Sequence, residues 1–170
     1  MSLPLVIAPN SVFKKKAEKV IVVDDSIRQI VADMFETLYA EQGLGLGANM
    51  VGVLKQIIVI HLHEGGVSTP LAMINPEILE ASDEVQTFNE ASLSFPGIAA
   101  DITRPSEISV QYLDENGAMQ TMQAEGFLAT VIQHEMDYLQ GRTFLDHLSR
   151  TKRANLVRRY QKLRRQDLAL

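Results

Sequence analysis

The chain has 170 residues, 46% hydrophobic and 22% charged, with a formal net charge of −5. That length suits one domain, residues 1–170, with a sizeable core, and the composition is that of a globular protein. It has no cysteine, which excludes disulfides and thiolate metal ligands, and no apolar run near the roughly 20 residues that span a bilayer.

Met1 to Asn10 carries no basic run before its short apolar stretch, so it does not read as a signal peptide. The expectation is a cytoplasmic domain without membrane contact. The net charge conceals an asymmetry. Between Arg150 and Leu170 eight basic residues face one acid, Asp167, giving +7 and leaving −12 for residues 1–149. A basic end on an acidic body suggests a polyanionic partner for that end.

In chain order, Ile27, Ile30, Val31, Met34, Phe35 and Leu38 recur at spacings of three and four. This predicts an amphipathic helix over 27–41, capped by Asp25 or Ser26 and stopped by Gly43. The β-branched run Lys55 to Leu62 reads as a buried strand, followed by a turn at Gly65-Gly66 and a partner strand from Leu71 to Asn75. Pro76, Pro96 and Pro105 punctuate a β-rich middle. Ile108 to Leu113 and Met119 to Ala124 flank an Asn116-Gly117 pair, a strong hairpin signal. Gly126 to Leu139 is apolar almost all round, which implies a central buried helix closed by Gly141. A last helix, about Ser149 to Gln166, buries Leu156, Val157, Tyr160 and Leu163 and displays its basic residues. The order helix, strands, buried helix, terminal helix is α+β.

Three segments carry candidate chemistry: Gly43-Leu44-Gly45-Leu46-Gly47-Ala48-Asn49-Met50, Glu90-Ala91-Ser92-Leu93-Ser94, and His134-Glu135-Met136-Asp137-Tyr138. Each is weak alone. A glycine-rich stretch is most often a turn, and this one follows a helix and precedes a strand, unlike a nucleotide-binding fingerprint. A His-Glu pair is more often structural than catalytic, but burying a carboxylate on an apolar helix is costly without a purpose.

In this order and spacing the three segments resemble the motifs of the peptide deformylases. The resemblance continues through Met34 to Glu41 and Ile74-Asn75-Pro76-Glu77 and covers nearly the whole chain. It implies the deformylase fold: antiparallel or mixed sheets around a central helix, here reading HExxY, plus a C-terminal helix. The family removes formyl from the N-terminal methionine of nascent chains. Its metal, typically ferrous iron, is held by a cysteine and two histidines. A glutamate moves the proton, while a glutamine and a backbone N–H steady the oxyanion.

Carried over by position, His134 is the retained ligand, Glu135 the proton carrier and Gly45 part of the glycine loop. The backbone N–H of Leu93 is the oxyanion donor. Phe127 and Val131 share one helix face with His134 and Tyr138, which suggests an apolar pocket for a methionine side chain, with ordinary core packing the commoner role for each alone. Ser92 stands where the resemblance implies cysteine, Tyr138 where it implies the second histidine, and Met50 where it implies glutamine. Serine and tyrosine ionise far less readily than a thiol of pKa about 8.5, and methionine donates no hydrogen bond. Neither His61 and His63, paired on a strand, nor His147, beyond Gly141, is expected to replace a ligand.

The sequence therefore predicts a deformylase-like protein of degenerate catalytic site. It is expected to be metal-free, or at most to bind Fe(II) or Zn(II) weakly. The alternatives are a weakly active metal-dependent deformylase acting on formylated peptide through His134 and Glu135, and a non-catalytic peptide- or ribosome-binding protein. An H-E-x-x-H zinc hydrolase is contradicted by Tyr138. In deformylases the C-terminal helix contacts the ribosome, so the resemblance assigns that role to Arg158, Arg159, Lys162 and Arg165.

Overall fold

The computed structural model describes residues 1–63 and 69–168; the expected Gly65-Gly66 turn lies outside them. Helix α1 spans Asp25–Ala40 and buries Ile27, Val31, Met34 and Leu38 of the predicted stripe, with Ile30 and Phe35 half-buried. Its cap is Asp24, one residue before the two predicted: the Asp24 carboxylate accepts the Ile27 N–H at 3.1 Å. The helix ends ahead of Gly43, because Gln42 already takes a left-handed conformation at φ 56°.

Strands β1 (Gly45–Gly47), β2 (Ile57–Ile60), β3 (Leu71–Ala81), β6 (Glu107–Leu113) and β7 (Met119–Glu125) form one antiparallel sheet in the order β1-β2-β3-β6-β7. Strands β4 (Val85–Ala91) and β5 (Ala99–Pro105) pair as a separate antiparallel hairpin. Strand β2 is shorter than Lys55 to Leu62, since Lys55 makes only an isolated parallel bridge to Glu18. It is buried along its length: Ile57 and Val59 join one hydrophobic core, Ile58 and Ile60 the other. That alternation places the two cores on opposite faces of the strand.

Strand β3 runs well past the predicted Asn75, straight through Pro76. It does so with an irregularity of register between Ile74 and Glu77, where Asn75 adopts φ 51°. A break in the ladder is where a strand tolerates proline. The β6–β7 hairpin matches its prediction, and Asp114 secures the turn by accepting the N–H groups of Asn116 and Ala118 at 2.9 Å each.

Helix α2 spans Gly126–Leu139, the predicted limits, and packs against β1, β2, β5 and β7. Gly141 ends it at φ 73°, and a Cβ there would lie 2.9 Å from the Lys14 carbonyl oxygen, so no other residue fits without rearrangement. Helix α3 spans Arg150–Leu168; only Tyr160 is fully buried, while Leu156, Val157 and Leu163 are half-covered rather than enclosed as expected. The observed architecture is α+β.

Candidate functional site

The site forms where β1, the end of β4 and α2 meet. Alternation along β4 turns Glu90 inward, and α2 brings His134, Glu135 and Tyr138 to the same place. Strand β1 runs close against α2. A Cβ on Gly45 would come within 3.0 Å of the Glu135 carboxylate and 3.1 Å of Val131, so the loop's glycine is a packing requirement. After β4 the chain turns about Ser92, whose hydroxyl accepts the Ser94 N–H at 3.2 Å.

These elements enclose a cavity of about 350 Å3. Its walls include Leu44, Leu93, Phe127 and Val131, and Gly45, Ser92, His134 and Glu135 also line it. The predicted site residues therefore converge, with two exceptions. Tyr138 is fully buried beside the cavity rather than lining it, and its phenol hydrogen-bonds the Ser92 hydroxyl at 2.5 Å. Its ring packs edge-on against Phe13 and His134. Met50 is also enclosed in the core, with its sulfur accepting the Gly47 N–H at 3.3 Å.

Electrostatics divide the buried groups into a matched set and an unmatched one. Arg104, from β5, donates Nε to Glu90 Oε2 at 2.8 Å and a terminal nitrogen to Oε1 at 3.0 Å, the bidentate geometry that strengthens such pairs. Its other terminal nitrogen donates to Asp137 at 2.9 Å. Glu90 also holds His134 Nδ1 at 2.7 Å. Burial alone would push the Glu90 carboxyl up, but the bonds from His134 and Arg104 outweigh it and hold it below its ordinary range. Burial would likewise lower the His134 imidazole, and Glu90 with the nearby Glu135 reverses that, leaving it raised.

Glu135 has weaker support, from the charge of His134 and the backbone N–H of Gly47. Its nearest cation is His134 Nε2 at 3.9 Å, beyond hydrogen-bond range, and its Oε2 is buried with no hydrogen-bond partner among the described residues. Burial pushes its carboxyl up to about 7. The Tyr138 phenol is also driven up by burial, despite its bond to Ser92.

Sequence reasoning missed Arg104 and His147. Arg104 shares the inward face of β5 with Ile102, and an arginine in an inward register was the available signal. His147 was expected to stay remote. A 3-10 turn at Phe144–His147 instead returns it to the site's edge, where Nε2 lies 2.7 Å from Asp137 and 3.2 Å from Arg104. It supports the network and does not line the cavity. His61 and His63 pack against one another outside it, with His61 Nδ1 bonded to the Tyr39 hydroxyl at 2.7 Å.

Comparison with known proteins gives this geometry its context. Residues 2–154 match the family model described as polypeptide deformylase. A peptide deformylase-like protein of Rickettsia conorii is 57% identical over 158 residues, spanning 93% of this chain and 86% of that protein. A peptide deformylase of Agrobacterium fabrum is 40% identical over 163 residues, 95% of this chain and 96% of its own. The crystal structure of peptide deformylase from Ehrlichia chaffeensis superposes with a TM-score of 0.90 at 41% identity, covering 96% of this chain and 97% of that one. With fold and extent both agreeing, the chain belongs to the peptide deformylase family.

Proposed function

We infer that the chain retains the family's peptide pocket without its metal-dependent hydrolysis, and that it holds peptide N-termini with an apolar first side chain. The observation that carries this reading is the bond between Ser92 and Tyr138. These are the two positions where the resemblance implies a cysteine and a histidine ligand. Here their oxygens satisfy one another, and burial holds the phenol in its neutral form. His134 Nε2 is then the one ordinary donor among the three positions, its Nδ1 being held by Glu90. A neutral serine, a neutral tyrosine and one imidazole do not fit a divalent transition ion, which favours thiolate, imidazole or carboxylate donors. Met50 adds to the case, because its sulfur accepts a backbone N–H where a side-chain donor would be required to steady an oxyanion.

What remains is a binding surface. Apolar walls from Leu93, Phe127 and Val131 suit an unbranched hydrophobic side chain, and about 350 Å3 is at the small end of ligand sites. The test is elemental analysis and formyl-methionyl peptide turnover on the same preparation. The expected result is no stoichiometric iron, zinc, nickel or cobalt and negligible hydrolysis. Ser92→Cys, Tyr138→His and Met50→Gln together should confer both metal binding and turnover. About one metal per chain with turnover abolished by Glu135→Ala would establish a weakly active deformylase instead.

A second reading concerns α3. Arg158, Arg159, Lys162 and Arg165 are all exposed and make no ion pair with a described residue. That favours a polyanion-binding face, with ribosomal RNA the partner the family resemblance suggests.

A further inference from the structure

We propose that strand β7 is a dimerisation edge. A second copy of the chain pairs with it antiparallel, about a two-fold axis at Met122, and joins the two five-stranded sheets into one. The pairing is independent of what the cavity binds.

Strand β7 ends the order β1-β2-β3-β6-β7, so one of its sides has no neighbouring strand. Two bonds fix which of its backbone groups face that side. Asp114 donates its N–H to the Ala118 carbonyl at 2.9 Å at one end of the β6–β7 ladder, and Gly126 donates to Ser106 at 3.2 Å at the other. Hydrogen-bonded pairs alternate along an antiparallel ladder, so Gln120, Met122 and Ala124 turn their N–H and C=O groups to β6. Those of Met119, Thr121, Gln123 and Glu125 point outward, and no described residue bonds them.

Exposed edges are ordinarily guarded by lysine, by proline or by a bulge that twists the strand away. Met119 to Ala124 contains no charge and no proline, and its register with β6 is unbroken. The edge is also open: Met119, Gln120, Thr121, Gln123 and Glu125 are exposed. Apolar surface adjoins it. Val20 is tied to Asn75 of β3 and Val23 lies against the Gly117 turn, so Ile21 and Val22 stand beside the hairpin, 91% and 65% exposed.

The complement of this edge is the strand itself. A two-fold axis at Met122 sets each Thr121 opposite the other copy's Gln123, Gln120 opposite Ala124, and Met119 opposite Glu125. No acid meets an acid along the paired strands, although residues 1–149 carry −12 and would oppose many other contacts between copies. The outward groups of the two copies fall opposite one another, which allows about eight backbone bonds. Met122, half-buried on the core, is covered at the axis by its symmetry mate. Seven residues per copy make a small contact, so the dimer is weak and concentration-dependent rather than obligate.

Sedimentation equilibrium of the full chain from about 10 to about 500 µM, a range suited to so small an interface, tests the proposal. The mass should rise from one chain toward two. Thr121→Lys with Gln123→Lys sets like charges opposite one another and should keep the protein monomeric throughout. Thr121→Glu with Gln123→Lys sets opposite charges there and should dimerise at least as tightly as the wild type. Both positions are exposed and their outward groups do not serve β6, so thermal melts should stay close to the wild type. Amide hydrogen exchange needs no substitution: exchange at Met119, Thr121 and Gln123 should slow as concentration rises, and that at Gln120 and Met122 should change little. The proposal is overturned if the wild type stays monomeric, or if its dimer survives the like-charge change. It is equally overturned if the opposite-charge variant is as monomeric as the like-charge one, or if the outward amides exchange as fast in the dimer as in the monomer.

Discussion

Ser92 and Tyr138 meet between the turn after β4 and the last full turn of α2, and each hydroxyl is the other's side-chain partner. Tyr138 is fully buried and Ser92 half-buried, and such a pair contributes little net stability compared with what is lost when its buried member is left alone. Ser92→Ala strands the phenol, and Tyr138→Phe strands the serine, which keeps only its bond from the Ser94 N–H. Ser92→Ala should destabilise the protein by about 1–3 kcal/mol, and Tyr138→Phe by less, because the half-buried serine it leaves faces the cavity. The double change should cost clearly less than the sum, because it removes both partners and leaves an apolar contact. Urea unfolding of the four proteins measures this. Strict additivity would mean that the pair is a contact of geometry only.

Elements matter through what they bring together, and Arg104 shows how far apart the contributors lie. It reaches from β5 to Glu90 on β4 and Asp137 on α2, and it is 3% exposed. Arg104→Met should cost about 3 kcal/mol, because it leaves the buried Glu90 with only His134, and the half-buried Asp137 with only His147, as cationic partners. The loss should depend on pH. Glu90 and Asp137 are both held below their ordinary range, so their stabilising effect is complete above the unfolded values near 4 and is lost as pH falls below them. The difference between wild type and Arg104→Met should therefore be largest near neutrality and shrink below about pH 4. A constant difference across that range would remove Arg104 as the cause. This network also explains what was legible in the sequence. Helices α1 and α2 and the β6–β7 hairpin carry their periodicity within single short segments, so spacing alone located them. The stripe Ile27, Val31, Met34 and Leu38 is one such pattern. Arg104 pairs with Asp137 across 33 residues, and His147 returns through a 3-10 turn. Neither contact leaves a local pattern to read. The inward turn of Met50 was equally hidden, because methionine in a glycine-rich loop fits a wall or a core alike.

For the molecule as a whole, charge is divided between an acidic body and a basic terminal helix. Tyr160 anchors α3 by donating its hydroxyl to the Ala8 carbonyl, and its ring packs on Phe95, so one side of the helix is fixed to the body. Arg158, Arg159, Lys162 and Arg165 are left on the solvent side, whereas Arg153 is engaged by Asp146 at 2.8 Å. A polyanion bound there would displace counterions from each phosphate it neutralises, so affinity should fall steeply as salt rises. It should also be indifferent to base sequence, since phosphate contacts position a protein without reading bases. Changing the four residues to glutamate should abolish co-sedimentation with ribosomes at low salt. Tyr160 and its contacts are untouched by those changes, so the thermal melt should stay close to that of the wild type. Arg153→Glu is the informative control: it disturbs the pair with Asp146 but leaves the four-residue cluster, and should weaken binding only modestly. Failure of the wild-type chain to co-sediment even at low salt would reduce the cluster to a solvated surface that keeps the acidic body soluble and separate.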